Sequence, residues 1–290
     1  MKVFLTGATG FVGRNMLKRL LENGHSVRAL VREHEGLHEP PGVAYIRGEI
    51  VSGVGLDQGM QGCDAVIHLV GIIAEKGRNT FEAVHHIGTR NVVETAKRNG
   101  IQRFVQMSAL GVRADGVAAY QTSKWRGEEE VRRSGIAYCI LRPSLIFGPG
   151  DGFVTQMMEM MKKAPFFRPV PGDGSFRFRP VFIDDVTFCF VSALTSQAAT
   201  NQTIELGGAD ELTLNDVLSE IARCADVNKP VVHVPLPLMF AVAALAGILP
   251  NPAVTVDQLR MLREGSTCDL GPMIHIFGLQ PRGFAGCGRK

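Results

Sequence analysis

The sequence predicts an α/β fold, a doubly wound parallel sheet with a smaller C-terminal subdomain laid over it. Three observations lead there. An apolar run at the N-terminus passes directly into Gly7-Ala8-Thr9-Gly10-Phe11-Val12-Gly13. Short β-branched runs then alternate with helical patterns as far as Arg142, the pattern of parallel strands joined by crossover helices. That alternation breaks at Pro143 and again at Gly148-Pro149-Gly150, after which proline, methionine, aromatic and basic residues dominate as far as Pro180.

Taken in order, Lys2 to Thr6 reads as a short buried strand, Phe11 to Asn23 as a helix that Gly24 can end, and Ser26 to Val31 as a second strand. This is a complete βαβ unit. Val43 to Arg47 and Ala65 to Val70 carry the β-branched content of buried parallel strands. Phe81 to Asn99 is a long helical pattern ended by Gly100, Arg103 to Met107 a fifth strand, Ala118 to Ser134 a helix ended by Gly135, and Ile136 to Arg142 a sixth strand. The arrangement is of Rossmann type, in which ligands sit outside the carboxyl ends of the strands. Residues 1–150 are expected to form the nucleotide-binding domain, rejoined by 181–207, where Val181 to Leu194 and Thr203 to Gly207 regain strand and helix character. Residues 151–180 and 208–290 are expected to form the substrate-covering subdomain, with Leu212 to Ala225 a helix capped by Thr213.

The glycine loop carries the first functional expectation. Gly7 permits the tight turn, Gly10 lets the backbone approach a pyrophosphate, Gly13 allows close helix–strand packing, and the helix N-terminus offers free N–H groups to an anion. Thr9, Phe11 and Val12 complete the expected contact set. A bare glycine turn would leave the loop empty, but its strand–turn–helix setting favours a dinucleotide. Specificity is read at the end of the second strand, where Val31-Arg32 stands in place of the carboxylate that holds the ribose of NAD. Arg32, with Arg28 nearby, suits the extra phosphate of NADP, and NAD stays open as the alternative. Glu49 and Ile50 after the third strand border the adenine or form an ordinary turn.

Tyr120 and Lys124 lie four apart on a predicted helix and so share a face. A phenol of pKa about 10 is a poor base near neutrality. A neighbouring ammonium is expected to stabilise the phenolate and bring it toward useful acid–base range. Lys124 can also hold a ribose, and Ser108, after the fifth strand, can orient a substrate oxygen. The bland alternative is a surface tyrosine and lysine.

These residues resemble the short-chain dehydrogenase/reductase superfamily in its extended or atypical branch. The TGATGFVG loop, His68 to Gly71, Met107 to Ala109, YQTSK, Leu141 to Gly150 and Val181 to Val186 follow the family's order. The chain is similar to NAD(P)-dependent epimerases and dehydratases. Through Val254 to Ser266 it is also similar to the group related to the nucleotide-binding accessory subunit of respiratory complex I. The resemblance implies Ser108, Tyr120 and Lys124 as catalytic residues, the loop glycines as pyrophosphate contacts, and Val70, Gly71 and Pro143 as further cofactor contacts. It implies an NADP-preferring oxidoreductase or redox-assisted epimerase or dehydratase acting on a small molecule. The alternative is an NADPH-binding structural or assembly factor without turnover. One departure stands out: His85-His86-Ile87 precedes Gly88-Thr89, where many relatives carry an asparagine. Both histidines are read as satisfied helix residues, with no metal spacing around them.

At 290 residues, 45% of them hydrophobic and 20% charged, the composition is that of an ordinary soluble enzyme. The net charge of +3 gives no argument for nucleic-acid binding. The cysteines at 63, 139, 189, 224, 268 and 287 form no CxxC pair, and reduced, mostly buried thiols in the cytoplasm are expected. Met1 leads straight into the first strand, so no signal peptide is expected. The apolar stretch Leu236 to Leu249 is shorter than the roughly 20 residues that span a bilayer. It reads as a packed helix, or as a surface that docks onto a membrane or a partner subunit. Met157, Met158, Met160 and Met161 form a lid or a packing helix, and Arg177 and Arg179 bind an anion or are solvated.

Overall fold

The computed structural model describes residues 1–33, 38–164, 166–246 and 254–284. The strands are β1 (Lys2–Thr6), β2 (Ser26–Val31), β3 (Val43–Arg47), β4 (Ala65–His68), β5 (Arg103–Met107), β6 (Ala137–Pro143), β7 (Ile146–Phe147), β8 (Arg168–Pro171), β9 (Arg177–Phe178), β10 (Val181–Phe182), β11 (Gln202–Leu206), β12 (Leu212–Thr213) and β13 (Val231–Val234). The helices are α1 (Phe11–Glu22), α2 (Leu56–Met60), α3 (Gly88–Arg98), α4 (Ala119–Arg132), α5 (Gly152–Lys163), α6 (Ile183–Ala193), α7 (Leu214–Cys224), α8 (Leu236–Ala246), α9 (Val256–Glu264) and α10 (Gly271–Phe277).

The main sheet has seven strands in the order β11-β6-β5-β4-β1-β2-β3, paired in parallel throughout. Strand order reverses between β1 and β4, which opens a crevice at their carboxyl ends. Period-two alternation divides the apolar side chains between the two faces. Val3 and Leu5 pack with Met16, Leu20, Val186 and Phe190 on the side of α1 and α6, while Phe4 packs with Leu30, Val92, Phe104 and Ile140 on the other. A third core, in which Val154, Met161, Val170, Leu214, Val217 and Ile221 meet, holds α5 and α7 together away from the sheet. Met157 and Met158 pack against it, so much of the methionine run is used in packing.

Several elements depart from expectation. The helix expected from Phe81 to Asn99 begins as a wide π-helical turn, Glu82–Ile87, before α3. The fourth strand stops at His68, whose ring is held between the hydroxyls of Thr6 and Thr89 at 2.6 and 3.2 Å. Thr213 does cap α7, but it and Leu212 first pair with β9. Arg177 and Arg179 both reach Glu211, at 3.1 and 3.2 Å, so one carboxylate is shared between the two guanidiniums within the fold. Cys63, Cys139, Cys189 and Cys268 are free thiols, whereas Cys224 is disulfide-bonded, which corrects the expectation of reduced cysteines at that position. Cys287 lies outside the described residues.

Leu236 to Leu249 forms α8 as far as Ala246, with 247–249 outside the described residues. It is not a packed helix on every side: Leu238, Val242 and Leu245 are 56%, 57% and 71% exposed. Among the described residues no helix is long and apolar enough to cross a membrane.

Candidate functional site

The glycine loop forms at the carboxyl end of β1. Gly7 takes a positive φ of 78°, and a Cβ on Gly13 would lie 2.0 Å from the Gly7 carbonyl oxygen, so only glycine lets α1 start this close to the turn. Gly10 caps α1 without a side-chain hydrogen bond, which leaves the first N–H groups available to an anion. The Arg14 guanidinium donates to the Thr9 carbonyl at 2.6 Å and braces the loop. Thr9 is exposed at its tip, while Phe11 and Val12 are half-buried.

At the end of β2, Arg32 is exposed and engages no partner among the described residues. Arg28 does not share this freedom. Its guanidinium donates to the carbonyls of Gln58 and Gln61 at 3.0 and 2.9 Å, closing α2, and this removes it as a second cation for a ribose phosphate. After β3, Ile50 is buried against the second face of the sheet, and the Glu49 carboxylate accepts from the Ser52 N–H at 3.0 Å. Asn91 from α3 holds this turn by donating to the carbonyls of Ile50 and Val51.

Tyr120 and Lys124 sit on the first turns of α4. The Lys124 ammonium donates to the Met107 carbonyl at 3.2 Å and lies 5.9 Å from the centre of the Tyr120 ring. It also sits under Gly71, where an added Cβ would come within 3.0 Å of it. Ser108 follows β5 and its N–H bonds to Leu141, while the Pro143 carbonyl accepts from Leu110, which ties the β5 and β6 ends together. The Ser108 hydroxyl is buried and finds no hydrogen-bond partner among the described residues. Such an orphaned donor is costly unless a ligand satisfies it. Ser108, Tyr120, Lys124, Gly71 and Pro143 thus gather at the carboxyl ends of β4, β5 and β6, with half-buried Val70 beside Gly71.

Charge in this cluster differs from the simple expectation. Burial pushes the Tyr120 phenol up to about 12, and burial lowers Lys124 to about 8 against a smaller opposing effect of Glu128. Desolvation therefore outweighs the ammonium, whose hydrogen bond goes to a backbone carbonyl and not to the phenol. The phenol is thereby held protonated.

Sequence reading underweighted one part of this site. His85 and Phe81 stack at 5.5 Å, and both present themselves edge-on to Tyr120, at 5.2 and 5.8 Å. His86 instead turns away to Glu82 and Glu130, at 2.7 and 3.1 Å. The departure at the family's asparagine position was the one available signal.

A family model described as NAD(P)H-binding matches residues 7–161, the stretch that carries the glycine loop, the Ser108 turn and the Tyr120 helix. The chain belongs to the NAD(P)H-binding family. The order of its motifs and its sheet agree with extended short-chain dehydrogenases/reductases. It is similar to a putative dihydroflavonol 4-reductase of Synechocystis sp., 29% identical across 95% of this chain and 89% of that protein. It is also similar to subunit 9 of the NADH dehydrogenase [ubiquinone] 1 alpha subcomplex of Arabidopsis thaliana, 29% identical across 88% of this chain and 68% of that protein. The fold matches the crystal structure of a UDP-glucose 4-epimerase from Thermotoga maritima with a TM-score of 0.76, over 99% of this chain and 96% of that one, at 18% identity.

Proposed function

We propose that this protein is an NADP-preferring oxidoreductase that reduces a carbonyl group on a small molecule, with redox-assisted epimerisation or dehydration as variants of the same chemistry. The observation that carries this reading is the buried, unpartnered Ser108 hydroxyl, one residue on from the Met107 carbonyl that holds the Lys124 ammonium beside the Tyr120 ring. The cofactor would lie along the uncapped start of α1, with Gly7, Gly10 and Gly13 beneath the pyrophosphate and Arg32 at the ribose phosphate. Val70, Gly71 and Pro143 would border the nicotinamide end. NADPH supplies a hydride when bound.

The chain's own residues supply the proton. The Ser108 hydroxyl donates a hydrogen bond to the substrate carbonyl oxygen and orients it. The Tyr120 O–H then gives its proton to that oxygen as the alcohol forms, and the phenolate left behind is stabilised by the Lys124 ammonium. A phenol held protonated by burial is suited to this direction. Lys124 has one of its N–H donors on Met107, which leaves others for ribose hydroxyls.

A second reading is favoured by α8, whose apolar side chains Leu238, Val242 and Leu245 face outward. In this reading NADPH is a structural ligand and α8 contacts a protein subunit or a membrane surface. The two readings separate in one experiment, NADPH oxidation measured across a panel of aldehydes and ketones. Under the enzymatic reading, Tyr120→Phe lowers turnover by ~10²–10⁴-fold while NADPH binding stays as in wild type. Tight NADPH binding with no Tyr120-dependent turnover anywhere in the panel overturns it in favour of the second.

A further inference from the structure

His85 is buried, and both of its ring nitrogens are engaged. Nε2 lies 3.0 Å from the Ile72 N–H, which can only donate, so Nε2 is the acceptor and the ring proton sits on Nδ1. From there Nδ1–H donates to the Ser123 hydroxyl at 3.0 Å, and that hydroxyl donates to the Tyr120 carbonyl at 2.9 Å. Every donor and acceptor in the chain is matched with the imidazole neutral. Burial and the nearby Lys124 charge hold it so, lowering its pKa to about 2.

The backbone is shaped around this contact. The π-helical turn carries the His85 carbonyl against α4, where a Cβ on Gly127 would come within 2.3 Å of it. On the other side, an added Cβ at Gly71 would lie 3.6 Å from His85 Nε2. A π-helical turn places an extra residue in the helix, and such turns are frequent at functional sites. Here the extra width puts His85 between the loop after β4 and the turn of α4 that bears Tyr120.

We infer that His85 is a positioning residue, a neutral strap that holds the two walls of the nicotinamide end together through one bond to each. Its Nε2 fixes the Gly71-Ile72 wall and its Nδ1 fixes the Tyr120 wall. With both nitrogens committed, it passes no proton to the phenol. This inference rests on the cofactor site proposed above.

Two substitutions divide the strap bond by bond. His85→Gln keeps an acceptor near the Nε2 position and loses the Ser123 bond, whereas His85→Asn keeps a donor near the Nδ1 position and loses the Ile72 bond. NADPH affinity, followed by cofactor fluorescence, is expected to fall ~3–10-fold in each variant, the range of one hydrogen bond, because cutting either bond unties one wall from the other. Affinity like wild type in either variant overturns the inference, and where a variant does not fold the wild-type ring decides. Nitrogen NMR of wild type should show the Nδ1–H tautomer without NADPH, and an Nε2–H or charged ring overturns the inference equally. Neither measurement needs a substrate, so a failed turnover screen leaves this test intact.

Discussion

In the nucleotide-binding half, β4 is buried at each of its four positions and β1 at all but its first. In the C-terminal part, β9 and β12 span two residues each, and α8 turns Leu245 71% into solvent. The first region is held by its own sheet, covered on both faces by helices. The second depends on its seams with the first. Glu264 of α9 binds Arg113 and accepts from Gln121 at 2.6 Å, Asp257 accepts from the Ala119 N–H at 3.0 Å, and the Ser144 hydroxyl donates to Ser266 at 2.9 Å. The bonds of Glu264 and Asp257 land on the loop and helix start that carry Tyr120, so the C-terminal part helps order that helix start.

The comparison breaks most sharply at glycine. Gly13→Ala drives a Cβ into a backbone oxygen 2.0 Å away, which no rotamer change can relieve, and is expected to cost ~3 kcal/mol in urea unfolding along with NADPH binding. Gly152→Ala, at the start of α5, meets nothing within 4 Å and is expected to be neutral or to stabilise by about 0.5 kcal/mol. Equal costs at the two sites would contradict the contrast in packing.

A smaller effect is expected at the exposed rim of the first region. Arg32→Ala leaves the fold untouched and lowers the ratio of NADP to NAD affinity by about tenfold, the size of one charge-assisted hydrogen bond. Paired titrations of wild type and variant measure it, and an unchanged ratio removes Arg32 as the selector. The smallest change belongs to α8. Serine at Leu238, Val242 and Leu245 together is expected to move stability by no more than about 0.5 kcal/mol per site, because these side chains are already exposed. A loss of several kcal/mol would mean that another surface covers them in solution.

Much of the first region was legible in advance. β1, β2, β3 and β5 fall at the limits read from periodicity and breakers, and β1 and β5, buried on both faces, write themselves as short apolar runs. The glycine loop was legible for a similar reason, since each glycine answers a local steric demand. The long helix after β4 was read correctly in position but not in form, as a π-helical turn has no periodicity of its own within six residues. In the C-terminal part Thr213 announced its cap, yet the exposure of α8 was not readable from an apolar run that suits a buried helix equally well.

By itself the sequence determined the parallel sheet, the dinucleotide loop and the shared face of Tyr120 and Lys124, all of which follow from sterics and spacing within a few residues. Tertiary structure alone decided that Arg28 is spent on the Gln58 and Gln61 carbonyls, that Arg177 and Arg179 share Glu211, and that His85 bridges Ile72 and Ser123. It also decided that burial outweighs the Lys124 charge at the Tyr120 phenol. A hydrogen bond or a desolvation cost depends on which groups from distant parts of the chain come within a few ångströms, and local periodicity carries no record of that.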